Sequence, residues 1–134
     1  MFGKWLRRSE SLASDGRRHI GESGEALAVK FLKKNGYKII EQNYRCKLGE
    51  IDIIARDGRV LAFIEVKARR TGEFGGPKWA VTPKKQRKIS MVALEYLKKT
   101  KQMQERARFD VVAIRLLPDR PDVEIIKNAF DLAY

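Results

Sequence analysis

The chain has 134 residues, 43% of them hydrophobic, which is typical of a single folded domain with its own core. One cysteine and one histidine exclude an internal disulfide and argue against a cysteine-built zinc site or a serine–histidine triad. No apolar run approaches the roughly 18 residues of a membrane span, and the basic N-terminus lacks an apolar segment, so we expect a cytoplasmic protein without a secretory signal or membrane partner.

Charge gives the first indication of a partner. The sequence carries 29 Lys and Arg against 17 Asp and Glu, a formal net charge of +12. The excess is concentrated in residues 67–108, which hold 13 basic and 3 acidic residues. A segment this basic is typical of nucleic-acid-binding proteins, although a solvated lysine-rich surface would have the same composition.

The N-terminal third predicts an arm followed by a helix. We expect residues 1–18 to form a flexible basic arm and residues 19–134 to form one domain. Apolar residues recur at helical spacing after the arm and predict a helix from His19 to Asn35, which Gly36 ends.

The remaining elements alternate between strands and one further helix. A strand is predicted over residues 37–45, and Asp57-Gly58 joins the next two apolar runs as a two-residue type I′ hairpin turn. Thr82 and Pro83 begin a second helix, and one or two strands close the chain. The fold class is therefore α/β, with a mixed sheet of four or five strands flanked by helices.

The hairpin turn fixes a predicted register for its two strands. A turn at this position sets Asp52 opposite Phe63 and Glu50 opposite Glu65. Asp52 and Glu65 are then diagonal neighbours on one face, with Cα atoms about 7–8 Å apart, and Lys67 shares that face. The other face is expected to hold only the apolar side chains of Ile51, Ile53, Ala55, Val60, Ala62, Ile64 and Val66.

Three charged residues on otherwise apolar strands call for a chemical explanation. Two carboxylates directed at one point repel each other, and a divalent cation with its preference for oxygen ligands removes that conflict. Asp52 and Glu65 are therefore predicted to bind Mg²⁺ or Mn²⁺, and Lys67 to orient a water molecule or stabilise phosphate charge. A structural ion pair with Lys67 is the alternative. Glu25, on the first helix, is either a further site acid or an ordinary helix charge.

Five separated motifs carry a family resemblance over about residues 19–116. They are GESGEALAVKFLKKNGY, LGEIDIIARD, FIEVKAR, TPKKQRKI and RFDVV. In this order they resemble the bacterial YraN family, which has a restriction-endonuclease-like core similar to that of Holliday-junction resolvases. The resemblance implies that Asp52 and Glu65 are metal carboxylates, that Lys67 is the catalytic lysine and that Glu25 is the helix acid. It also implies that Lys85 and Gln86 fill the polar positions of the helix that follows.

The basic segment supplies the expected nucleic-acid contacts. They are Arg69, Arg70, Lys78, Lys84, Lys85, Gln86, Arg87 and Lys88. The loop TGEFGGPKW between the second strand of the hairpin and the second helix ends at Trp79, which is expected either to pack in the core or, with less support, to stack on a base. Asp110 is either another site acid or the structural partner of Arg108.

Together these observations predict a Mg²⁺-dependent endonuclease-like protein that acts on DNA, and branched or structured DNA is one candidate substrate. The catalytic set is Glu25, Asp52, Glu65 and Lys67. A homodimer is expected by analogy with resolvases, which cut two strands symmetrically. Two other hypotheses remain open: a non-catalytic nucleic-acid-binding module with a nuclease fold, and a basic domain that binds an acidic protein.

Overall fold

The structure, a computed structural model, describes residues 4–8, 24–70, 74, 76 and 79–133. These residues form six strands and two helices. In chain order they are β1 (Lys4–Arg8), α1 (Gly24–Lys34), β2 (Lys38–Cys46), β3 (Gly49–Asp57), β4 (Val60–Arg69), α2 (Pro83–Lys99), β5 (Ala107–Leu116) and β6 (Pro121–Phe130). No helix in this described part of the chain is both long and apolar enough to cross a bilayer.

All six strands belong to one mixed sheet with the order β1-β6-β5-β4-β3-β2. Only the β4–β5 pair is parallel, and α2 makes the crossover that joins these two strands. The five strands β2 to β6 confirm the predicted mixed sheet. The sixth, β1, corrects the prediction of a flexible arm over residues 1–18, because Lys4–Arg8 pair with the outer edge of β6. A sheet edge offers unpaired backbone groups that such a segment can satisfy. The other residues of that arm lie outside the described residues.

Each helix covers one face of the sheet. On α1 the side chains of Leu27, Ala28, Phe31 and Leu32 are buried at the predicted helical spacing. Gly36, at φ +90°, follows its last turn, as predicted. The described helix begins at Gly24, and residues 19–23 of the predicted helix lie outside the described residues.

The second helix begins as the sequence predicts. Pro83 occupies its first turn, and the Thr82 hydroxyl accepts a hydrogen bond from the Lys85 N–H at 3.2 Å. Its buried residues, among them Val92 and Tyr96, pack on the opposite side of the sheet from α1. The core therefore has two layers, one on each face.

The β3–β4 hairpin differs from the predicted register by two residues. Asp57 pairs with Val60, so the two-residue loop is Gly58-Arg59, not Asp57-Gly58. Gly58 has φ +64°, whereas the φ of Arg59 is not positive. This is the pattern of a type II′ turn, in which glycine takes the first of the two central positions. The predicted type I′ turn was wrong.

One residue also lies on the face opposite to the predicted one. Ile53 packs in the cluster under α1 with other members of its predicted face, but Ile51 packs in the cluster under α2. Two residues that are two positions apart in a regular strand face the same side. The alternation of β3 therefore breaks between them, at Asp52.

Candidate metal and nucleic-acid site

Asp52 lies where strands β3 and β4 separate. Their backbone pairing ends at Ile53 and Ile64. One residue beyond that pair, the Asp52 carboxylate accepts a hydrogen bond from the Val66 N–H at 2.8 Å. An aspartate side chain thus replaces the backbone partner of a strand, which anchors its carboxylate beside β4.

The register change brings the two predicted acids closer than the sequence suggests. Continuing the pairing by one residue sets Asp52 opposite Glu65 instead of diagonal to it. The two carboxyl groups lie within hydrogen-bonding reach of each other. Only 11% of the Glu65 side chain is exposed. The structure therefore brings together both predicted metal ligands in a half-buried site on the α2 side of the sheet.

The surroundings of this acid pair disfavour two negative charges. Burial raises the pKa of Asp52, while the Val66 N–H and the Lys85 ammonium act in the opposite direction without overcoming it. Burial also raises the pKa of Glu65, and the charge of Asp52 raises it further against the opposing charges of Lys85 and Lys67. Two carboxylates in this position gain from an added cation.

Two lysines flank the acid pair. Lys67 follows Glu65 by two residues on β4, as predicted; burial lowers its pKa, and the nearby Arg69 lowers it further. Lys85, which we predicted as a phosphate contact, has its Nζ 3.6 Å from Glu65 Oε2. Its side chain is half exposed, so this lysine reaches from the acid pair to the surface of α2. An ammonium group placed there can hold a phosphate oxygen beside the two carboxylates.

Glu25 approaches the sheet from α1, on the other face. Its Oε1 accepts a hydrogen bond from Nδ2 of Asn43 at 2.8 Å. Asn43 lies on β2 between residues that pair with Ile51 and Ile53, which sets it level with Asp52. Within the described residues no group of three or more acidic, histidine or cysteine side chains is arranged to hold a metal.

Sequence reasoning missed Asn43. Its φ is +53°, a left-handed value that asparagine adopts more readily than most residues. An asparagine inside the run YKIIEQNYR, which is otherwise typical of a strand, is the signal that could have drawn attention to it.

The predicted nucleic-acid contacts fall into two groups. Arg69 is half-buried, and its Nη1 donates to the Ala68 carbonyl at 2.8 Å. Gln86 is half-buried too, and its Nε2 donates to the Val81 carbonyl at 2.9 Å, so it fixes the start of α2. The exposed residues are Arg70 and the α2 cation cluster, which consists of Lys84, Lys85, Arg87 and Lys88. Lys78 lies outside the described residues.

A second cluster of charges lies away from the acid pair and is structural. Asp110, fully buried, accepts hydrogen bonds from Arg108 Nε at 2.8 Å and from the Tyr37 hydroxyl at 2.9 Å. Arg108 also donates to Asp57 at 2.7 Å, and Lys127 lies 2.9 Å from the same carboxylate. These contacts confirm the interpretation of Asp110 as the structural partner of Arg108.

Trp79 belongs to the core and not to an exposed surface. Its side chain is buried, and its ring centroid lies 5.0 Å from that of Phe74. This confirms the core interpretation, because a ring covered in this way has no face for a base to stack on.

The solved structure of Pyrococcus furiosus SfsA in complex with Ca²⁺ is similar to this chain with a TM-score of 0.38 and 13% identity, over 84% of this chain and 63% of that one. Among sequences, UPF0102 proteins of Geotalea daltonii, Geotalea uraniireducens and Caldicellulosiruptor saccharolyticus are 59%, 53% and 47% identical. The matches cover 86%, 95% and 85% of this chain and 91%, 99% and 98% of those proteins. Residues 24–114 match the profile of the uncharacterised protein family UPF0102. The chain therefore belongs to the UPF0102 family, the YraN family that its motifs resemble.

Proposed function

We propose that this protein is a Mg²⁺- or Mn²⁺-dependent endonuclease of the restriction-endonuclease-like superfamily that hydrolyses phosphodiester bonds in DNA. The observation that carries the proposal is the pairing of Asp52 and Glu65, which are held within hydrogen-bonding reach on adjacent strands beside two lysines. A buried like-charge pair of this kind is costly unless it has a ligand to bind.

The two carboxylates fit the coordination preference of Mg²⁺. This ion keeps several of its waters and is commonly held by one or two protein carboxylates together with substrate phosphates. Asp52 and Glu65 supply two such carboxylates, so a third acid is not required. When bound, the ion would polarise a phosphate oxygen and lower the pKa of a bound water.

Other side chains of the protein would position the water and bind the phosphate. Lys67 is placed to orient the attacking water and to stabilise negative charge that develops on the phosphate. Lys85 would hold a non-bridging phosphate oxygen at the acid pair, and the rest of the α2 cation cluster would hold the neighbouring backbone. Glu25, which is held by its hydrogen bond from Asn43, would help to position the metal or the substrate at the edge of the sheet, from the α1 side.

A non-catalytic nucleic-acid-binding module is the second candidate. Two observations favour it: the described residues hold no group of three metal-binding side chains, and Lys85 already lies beside Glu65. In this reading the lysine neutralises the acid, and the exposed cations of α2 bind the polyanion without cleavage.

Cleavage assays with metal controls separate these functions. Branched, nicked and linear DNA would be incubated with the protein and Mg²⁺ or Mn²⁺. The nuclease proposal expects metal-dependent product formation that Asp52→Asn abolishes. The matched control is Glu105→Gln, which removes an exposed carboxylate paired with Arg56 outside the acid pair and should leave cleavage intact. Binding to DNA without product under both metals would favour the module.

A further inference from the structure

An open cleft lies at the turn that joins β2 to β3. Its volume is about 420 Å³, within the usual size range of ligand sites. The residues that line it are Arg45, Cys46, Lys47, Leu48, Gly49, Glu50 and Lys88. We call it the turn cleft. Of its residues, Lys88 alone belongs to the predicted nucleic-acid contacts.

The lining combines positive charge with apolar surface. The lining holds three basic residues, Arg45, Lys47 and Lys88, and one acidic residue, Glu50, so it carries a net charge of +2. Arg45 Nε lies 2.9 Å from Glu50 Oε1, which neutralises that acid and leaves the two lysines for an anion. Leu48 is 44% exposed at the tip of the turn. A nucleotide unit has the same two parts, a phosphate and an apolar base face.

The turn cleft adjoins the acid pair along both elements that form it. On β3, the backbone of Glu50 lies two residues, or about 7 Å along the strand, from that of Asp52. On α2, Lys88 follows Lys85 by three residues, and positions three apart are neighbours on one helix face. Lys85 contacts the acid pair and Lys88 lines the cleft, so one row of helix cations connects the two sites.

Close packing holds the turn and the helix in this relation. A Cβ atom built on Gly49 would lie 3.3 Å from Val92 Cγ2, so the backbone of the turn lies directly against α2. Val92 is four residues after Lys88 and shares its helix face. The cleft is thus preformed by the fold and does not depend on the movement of a loop.

We propose that the turn cleft is a second phosphodiester-binding subsite, which holds the nucleotide next to the one at the acid pair. Lys47 and Lys88 bind its phosphate, and Leu48 contacts its base or sugar. The inference rests on the proposed function in one respect: it takes DNA as the ligand. It does not require cleavage, so it is tested by binding in the absence of metal.

The test measures affinity for a single-stranded oligodeoxynucleotide of about 12 residues in EDTA over a series of salt concentrations. Each phosphate contact on a single strand contributes about 0.7 to the slope of log affinity against log salt. Lys47→Ala/Lys88→Ala removes one phosphate contact and should therefore lower the slope by about 0.7 and weaken binding about 5-fold at about 0.1 M salt. The matched control is Lys98→Ala/Lys99→Ala, two exposed cations of the last turn of α2, which should retain the wild-type slope.

A second variant pair tests the Arg45–Glu50 contact. Arg45→Ala leaves the acid unneutralised in the cleft and should weaken binding, and Arg45→Ala/Glu50→Gln should restore part of the loss. A Lys47/Lys88 variant with wild-type slope and affinity would overturn the subsite even if wild-type protein cleaves DNA. Conversely, wild-type protein that binds but does not cleave, with the slope lowered in the variant, would overturn the nuclease and support the subsite.

Discussion

Neutralising Asp52 should stabilise the metal-free protein. The amide of Asp52→Asn can still accept the Val66 N–H, and its NH₂ group can donate to the Glu65 carboxylate, which replaces a repulsion with a hydrogen bond. A hydrogen bond to a charged group contributes about 1.5–3 kcal/mol, and the lost attraction to Lys85 offsets part of it. We expect a net gain of about 1 kcal/mol, or roughly 4 °C in Tm for a domain of this size.

The same substitution should abolish stabilisation by metal. A ligand that binds only the folded state at about 100 times its Kd stabilises by about 2.7 kcal/mol, which is roughly 10 °C in Tm. Melting curves of wild-type protein with and without Mg²⁺ or Mn²⁺ should show this shift. Asp52→Asn should melt higher than wild type without metal and should not respond to either ion.

Asp110→Asn is the matched control, since it makes the same chemical change at a structural aspartate. Asp110 is fully buried and accepts hydrogen bonds from Arg108 and Tyr37. Removing one partner of a buried ion pair costs about 3–5 kcal/mol, so this variant should melt roughly 12–20 °C lower and keep the metal response. A much lower Tm for Asp52→Asn, together with no effect of metal on the Tm of the wild type, would refute the proposed metal site.

Three further outcomes are expected. Burial alone would raise the pKa of Asp57, but Arg108 and Lys127 outweigh it and hold that pKa below its usual value. The wild type should therefore melt higher than Asp57→Asn at neutral pH, and this difference in Tm should disappear as the pH falls below about 4. Melting curves over a pH series measure it. Gly49→Ala, at φ +147° and against Val92, should cost about 1–3 kcal/mol in urea unfolding, and unchanged stability would contradict the packing described. Replacing the α2 cation cluster with alanine should lower the salt slope on duplex DNA by about 0.9 per contact, equally for all DNA sequences; a sequence-dependent loss would indicate base contacts instead.

Local periodicity was sufficient for the elements and for the face of the acid pair. The helical spacing of Leu27 and Phe31 and the apolar runs around Gly58 predict α1 and the hairpin because both signals are short-range. The predicted register was wrong by two residues, yet Asp52 and Glu65 still share a face. Side chains alternate with a period of two, so an even shift preserves the face and changes only the distance.

Only the tertiary structure decided how the site is completed. Ile51 lies on the face opposite to Ile53 at the point where β3 parts from β4, and no periodic pattern in the sequence shows where two strands separate. Lys85 reaches Glu65 and Asn43 holds Glu25 through contacts between elements that lie far apart in the sequence. Such contacts depend on how helices pack on a sheet, which residue types alone do not specify.

The same limit applies to the residues for which the sequence left two readings. Asp110 and Trp79 are compatible with a functional surface and with a buried network, since an aspartate or a tryptophan can be satisfied in either place. The sequence by itself determined which residues carry charge and on which strand face they stand. Burial and neighbouring groups separate the two cases. A carboxylate surrounded by donors, as Asp110 is, stabilises the fold, whereas a carboxylate that faces another carboxylate, as Asp52 does, is destabilised by repulsion, which supports the proposed metal site.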